Sequence, residues 1–105
     1  MLTFNLKRIW FDKIKNGEKV HEYREVKPYW TKRLENYFDF QEEDWEIINN
    51  GKLEMQDFIP ICLRCGYSTE YIEAYMLSIS KINGLNTDLK VDKDVYDIEI
   101  VLISD

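Results

Sequence analysis

Lys19, Glu22 and Arg24 crowd into one short run, Asn16-Gly17-Glu18-Lys19-Val20-His21-Glu22-Tyr23-Arg24. In an extended segment, residues two apart share a face. Glu22 and Arg24 therefore point the same way, with Val20, while His21 and Tyr23 turn to the other side. Lys19 sits at the preceding turn, and its flexible stem can swing toward the Glu22/Arg24 face. Two cations around a carboxylate suit two kinds of chemistry. They can clamp a phosphate or carboxylate, with Glu22 orienting the guanidinium. They can also do general acid–base work where burial shifts a lysine or carboxylate pKa. The ordinary alternative is an ion-pair cluster on an edge strand, which contributes little, and spacing alone favours that alternative. His21 is the single histidine. Turned away from Glu22 and Arg24, it is expected to be a structural or edge residue rather than a general base.

The elements that must position this trio are legible on both sides of it. Leu2 to Leu6 alternates and predicts a short strand. Lys7 to Asn16 places Ile9, Trp10 and Ile14 on one side of an amphipathic helix. Gly17 follows where a helix end favours a residue free to adopt positive φ. Lys19 to Glu25 reads as a strand. Pro28 opens a second helix, with Trp30, Leu34 and Tyr37 or Phe38 as its apolar stripe. Glu42 to Ile48 predicts a short third helix with acids at its positive end, stopped by Asn49-Asn50-Gly51. The second half is mostly β: Phe58 to Cys65, Tyr71 to Ile82, a turn over 83–88, and an alternating strand around Tyr96, Ile98, Ile100 and Leu102. Five strands with two or three early helices predict an α+β domain built on a small, strongly curved sheet or barrel.

The chain's 105 residues match one domain, and 45% hydrophobic content is enough for a core. Four glycines and two prolines exclude collagen-like and linker-rich classes. No apolar run approaches the roughly 18 residues of a membrane span. The first residues lack the pattern of a secretory leader, so the cytoplasm is the expected location. The net charge of −6 argues against indiscriminate binding to polyanions. That charge is unevenly spread. Residues 1–33 carry nine Lys/Arg against four acids, and the rest carries five against sixteen. A basic third on an acidic body points to a local anion site. For Lys13, Lys15, Lys32 and Arg33, solvated helix faces are the simpler reading.

Cys62 and Cys65 form the one CxxC. A zinc ribbon needs a second pair or two histidines. The flanking Ile59-Pro60-Ile61-Cys62-Leu63-Arg64-Cys65 reads as a strand, on which positions three apart face opposite ways. The pair is therefore expected to be structural, with no metal or other cofactor.

The run Gly17-x-Lys19-x-x-Glu22-x-Arg24, just after an N-terminal strand and helix, resembles the motif of the ASCH domain family, whose members are PUA-like β-barrels. Three more segments share the likeness in the same order. Trp10-Phe11-Asp12-Lys13-Ile14-Lys15-Asn16-Gly17 resembles the helix leading into the motif. Lys27-Pro28-Tyr29-Trp30 resembles the segment after it in a small single-domain subgroup. Leu63-Arg64-Cys65-Gly66-Tyr67 resembles a later strand-to-turn segment that commonly reads Phe-Arg-Asn-Gly-Tyr, with Cys65 in place of Asn. Residues 39–57 fit least well and look like an insertion within a single domain spanning 1–105. The resemblance implies a barrel with a cleft beside the first helix and Lys19, Glu22 and Arg24 at its mouth. It also implies dealings with RNA or nucleosides. One small branch hydrolyses acetylated cytidine with the motif lysine and a threonine where this chain has Glu22, and with a further glutamate that has no clear counterpart here.

Three functions follow as expectations. The first is a nucleotide- or RNA-binding module, with Lys19 and Arg24 on phosphate, Tyr29, Trp30 or Tyr67 available for stacking, and Arg64 as a further binding residue. Trp30 also fits the core stripe of its helix. The second is a small hydrolase acting on a modified nucleoside or on RNA, with Lys19 as base or nucleophile activator, Glu22 as proton carrier and Arg24 as oxyanion or phosphate stabiliser. A carboxylate beside a lysine favours the charged amine, which counts against a lysine base. The third is an interaction protein that uses Glu42-Glu43-Asp44-Trp45 against a basic partner. A charge run of that kind is usually a solvated face.

Overall fold

The computed structural model describes residues 1–103. In chain order the elements are β1 (Thr3–Leu6), α1 (Arg8–Lys15), β2 (His21–Glu25), α2 (Pro28–Phe38), α3 (Glu42–Asn50), β3 (Lys52–Glu54), β4 (Pro60–Cys65), β5 (Tyr71–Asn83) and β6 (Asp94–Leu102), with one 3-10 turn at Gly84–Asn86. The expected helices and strands are present, and the α+β class holds.

The strands form one mixed sheet in the order β1-β4-β5-β6-β2. β1 and β4 are parallel, and the other pairs are antiparallel. The thirteen-residue β5 is the spine. Along one edge it pairs first with β4, through Tyr71–Tyr75, and then with β3, through Ser78–Ser80. Along its other edge it pairs with β6, where a register shift between Met76 and Ser78 bends the ladder. Two features correct the sequence expectation. The sheet has six strands rather than about five, because β3 adds a three-residue rung within 39–57. It is also open rather than a closed barrel: β1 and β2 are its two outer strands.

Local chemistry explains the elements around the site. α1 ends at Gly17, whose φ of +79° is left-handed, and the Gly17 N–H donates to the Ile14 carbonyl at 3.0 Å. α2 starts on Pro28 and ends on Asp39 in the left-handed region. In the first turn of α3, Asp44 reaches back to accept from the Gln41 N–H at 2.8 Å. Ile48 is fully buried, so the 39–57 segment contributes to the core as well as to the sheet. That core gathers Phe4, Phe11, Ile14, Leu34, Leu63, Met76 and Ile98 from helices and sheet together. Burying each such side chain contributes about 1.5–3 kcal/mol.

Candidate functional site

The left-handed turn at Gly17 reverses the chain after α1. It presents Lys19, whose N–H donates to the Lys13 carbonyl at 3.2 Å, directly before β2. Antiparallel pairing with β6 then sets Glu22 opposite Ile98 and Arg24 opposite Tyr96. Glu22 and Arg24 consequently face inward, toward the gap between β2 and β1.

All three side chains converge on that gap. Arg24 Nη2 donates to the Asn5 carbonyl at 3.0 Å and lies 3.8 Å from Glu22 Oε2. Its guanidinium rests over the rings of Phe4 and Trp30, at 5.4 and 5.1 Å. Glu22 is only 5% exposed. Its Oε1 accepts from the Tyr23 N–H at 2.9 Å. Among the described residues its Oε2 has no hydrogen-bond partner, and neither has Arg24 Nε. Lys19 Nζ pairs with Asp88 Oδ2 at 2.5 Å and lies 4.7 Å from the Tyr23 ring centre and 5.7 Å from that of Trp10. These groups border a cleft of about 410 Å³, which Asn5, Leu6, Lys7, Trp10, Tyr23, Asp88 and Leu89 complete.

Burial dominates the electrostatics of Glu22. Loss of solvation pushes its pKa above the ordinary carboxylate value, against the opposing pull of Arg24, Lys19 and the Tyr23 N–H. Burial also raises the Tyr23 phenol, helped by the negative charges of Asp97, Asp88 and Glu22. The cleft thus offers fixed cationic donors, a carboxyl that resists ionisation, and two aromatic walls.

The other residues expected to bind lie elsewhere. Trp30 stacks on Phe4 at 5.0 Å beneath Arg24 and packs against the core. It borders a smaller adjoining hollow with Tyr23, Lys27 and Leu89. Tyr29 is 61% exposed and meets Trp30 edge-on. Tyr67 is 96% exposed, and Arg64 is exposed on β4. None of Tyr29, Tyr67 and Arg64 borders the cleft. His21 turns away as its strand position requires, with Nδ1 2.6 Å from Asp97 Oδ1. Cys62 and Cys65 are buried free thiols, and among the described residues no group of three potential metal ligands gathers.

The sequence reading missed Trp10, Tyr23 and Asp88 as cleft residues. Trp10 looked like core from its place in the α1 stripe. Strict alternation turned Tyr23 outward, yet its ring reaches the Lys19 ammonium. Asp88 lies sixty-nine residues beyond Lys19, and only the β5–β6 connection brings it back. Compared with protein-family models, curated proteins and solved structures, the chain matches none of them. Fold and site together define an α+β domain with a cation–carboxylate cleft between the two outer strands of a curled sheet.

Proposed function

We propose that this chain is an ASCH-type, PUA-like module that binds a nucleotide or a short single-stranded RNA segment in the cleft of Lys19, Glu22 and Arg24. The observation that carries the reading is the convergence of these three side chains on one hollow. Its size falls within the roughly 300–1,000 Å³ of small-ligand sites. Lys19, Arg24 and Lys7 supply the cations for phosphate. Trp10 and Tyr23 supply faces for a base, each stacked base contributing about 1–3 kcal/mol. The acidic remainder of the chain limits the footprint to a few nucleotides. The curl of the sheet, with its outer strands bridged by Arg24, supports the PUA-like relationship. Among the described residues, no helix is long and apolar enough to cross a membrane. Titration with mononucleotides and short RNAs at two salt concentrations tests the reading. Binding that weakens with salt and is lost in Lys19→Ala supports it. No binding at low salt, or equal loss from Lys52→Ala on β3, sinks it.

The raised pKa of Glu22 favours one alternative, a small hydrolase acting on a modified nucleoside or on RNA. A buried carboxyl that keeps its proton to higher pH than an ordinary one, beside two cations in a cleft, can deliver that proton to a leaving group. Incubation with modified cytidines and RNA decides between the two: turnover abolished by Glu22→Gln establishes hydrolysis, and binding without turnover establishes the module.

A further inference from the structure

The Lys19 ammonium is oddly placed for a simple surface ion pair. Its side chain is only 9% exposed, whereas its partner Asp88 is 34% exposed. The cation is therefore the deep member, held beside the faces of Trp10 and Tyr23, and the carboxylate stands on the solvent side.

The hydrogen bonds within the loop that carries Asp88 do not use its side chain. The loop's shape is set by its neighbours. Thr87 Oγ1 donates to the Gly84 carbonyl at 2.8 Å and accepts from the Leu89 N–H at 3.2 Å. Asn83 Nδ2 donates to Asp92 at 2.9 Å, and the Gly84 N–H donates to the Lys93 carbonyl at 2.8 Å. Gly84 is packed so closely that a Cβ there would lie 2.8 Å from the Val91 carbonyl oxygen. Among the described residues, the Asp88 carboxylate has Lys19 as its one polar partner. A change in the Asp88 rotamer therefore frees Lys19 without undoing the loop.

The geometry points to an anion subsite at Lys19 whose internal occupant is Asp88: the carboxylate holds the place of a ligand's phosphoryl group and sets how tightly the cleft takes anionic ligands. This rests on the nucleotide-binding reading for the identity of the ligand, but not for the existence of the subsite. An occupied subsite lowers apparent affinity by the fraction of molecules in which it is free. If the pair is open in roughly one molecule in ten, removing Asp88 tightens phosphate binding roughly tenfold. The rival is a purely structural pair that fastens the loop to the turn before β2.

The test compares the native protein with Asp88→Asn and Asp92→Asn, using inorganic pyrophosphate, a nucleoside 5′-monophosphate and the corresponding nucleoside. Calorimetry reads affinity, and the Trp10 indole N–H signal reports whether the cleft is the place of binding. Asp92 bonds Asn83 away from the cleft, so Asp92→Asn controls for the change in net charge. The expected result is a roughly tenfold gain for pyrophosphate and monophosphate in Asp88→Asn, no gain for the nucleoside, and none in Asp92→Asn. Equal gain in both variants, or no gain with lowered stability, overturns the proposal in favour of bulk charge or of the structural pair. If Asp88→Asn gains for pyrophosphate while neither the native protein nor the variant binds the monophosphate, the subsite stands and the nucleotide reading falls. If native protein binds monophosphate and Asp88→Asn gains nothing, the reverse holds.

Discussion

Arg24 donates from Nη2 to the backbone oxygen of Asn5 at 3.0 Å. It thereby ties together β2 and β1, the two outer strands that backbone ladders leave unjoined. One side chain thus serves both fold and site. It spans the open edge of the sheet, lies on the rings of Phe4 and Trp30, and sets a fixed positive charge next to Glu22.

Removing that bridge has a measurable cost. A hydrogen bond from a charged donor contributes about 1.5–3 kcal/mol, so Arg24→Ala is expected to lower stability by that order in urea unfolding. Arg24→Lys is expected to recover little of it. An ammonium lacks the planar fork that lies on two rings while reaching Asn5. Full recovery by lysine would show that charge alone, not the bridge, is what matters at this position.

Glu22 makes the protein's stability depend on pH in a defined direction. Its pKa is higher in the folded chain than the ordinary value of 4.5. Between those two values the folded state holds a proton that the unfolded state has lost, so stability falls as pH rises through the window. Glu22→Gln keeps an oxygen for the Tyr23 N–H and has nothing to ionise. The variant is expected to match the native protein below about pH 4.5 and to exceed it in Tm above the window. Thermal melts of both proteins across pH check this; curves that run parallel throughout would refute it.

How far the site was legible in the sequence follows from the range of each interaction. Gly17, Glu22 and Arg24 are governed by local rules: a left-handed helix end, and two-residue alternation along a strand. Those rules placed the turn and the shared face correctly. They could not place Asp88, because its position depends on where the β5–β6 connection returns. They could not decide whether the sheet closes, since closure depends on the partners of β1 and β2 rather than on either strand's own pattern. β3 left no signal because three residues with one half-buried side chain, Leu53, show no usable alternation. Trp10 and Trp30 carry the same ambiguity: a tryptophan in an apolar helix stripe reads as core, whether its other side meets protein or a cleft.

Gly17 is expected to resist substitution for a backbone reason alone. Its φ is +79°, and among the described residues no atom beyond Gly17 and its two chain neighbours lies within 4 Å of the point a Cβ would occupy, so Gly17→Ala introduces strain without a clash. The left-handed conformation costs a residue with a Cβ about 1–2 kcal/mol, and a loss of that size in chemical denaturation is the expected result. Asn tolerates this conformation better, so Gly17→Asn is expected to lose less. Equal losses from the two variants would mean that the turn relaxes into another conformation.

His21 provides a control within the motif. Its bond to Asp97 lies on the side of β2 away from Glu22 and Arg24, and its side chain is partly exposed. An exposed pair of this kind contributes up to about 1 kcal/mol. His21→Ala is expected to cost no more than that and, because the imidazole meets the cleft only through its stacking on Tyr23 at 6.1 Å, to lower nucleotide affinity far less than Lys19→Ala does. A large loss of affinity in a folded His21→Ala protein would make the imidazole part of the site.

The choice of stacking residue separates the cleft from the exposed aromatic surface. Trp10 and Tyr23 border the cleft, whereas Tyr29 and Tyr67 do not. If a base enters beside the Lys19 ammonium, removing a cleft ring costs about 1–3 kcal/mol of binding, a loss of roughly five- to 150-fold. Trp10→Leu preserves apolar bulk on α1 while removing the flat face, so a loss of affinity in this variant reports on stacking rather than on packing. Tyr29→Ala and Tyr67→Ala are expected to bind as the native protein does. The opposite pattern, with Tyr67→Ala impaired and Trp10→Leu intact, would move nucleic-acid contact to the turn after β4 and leave the cleft without a base.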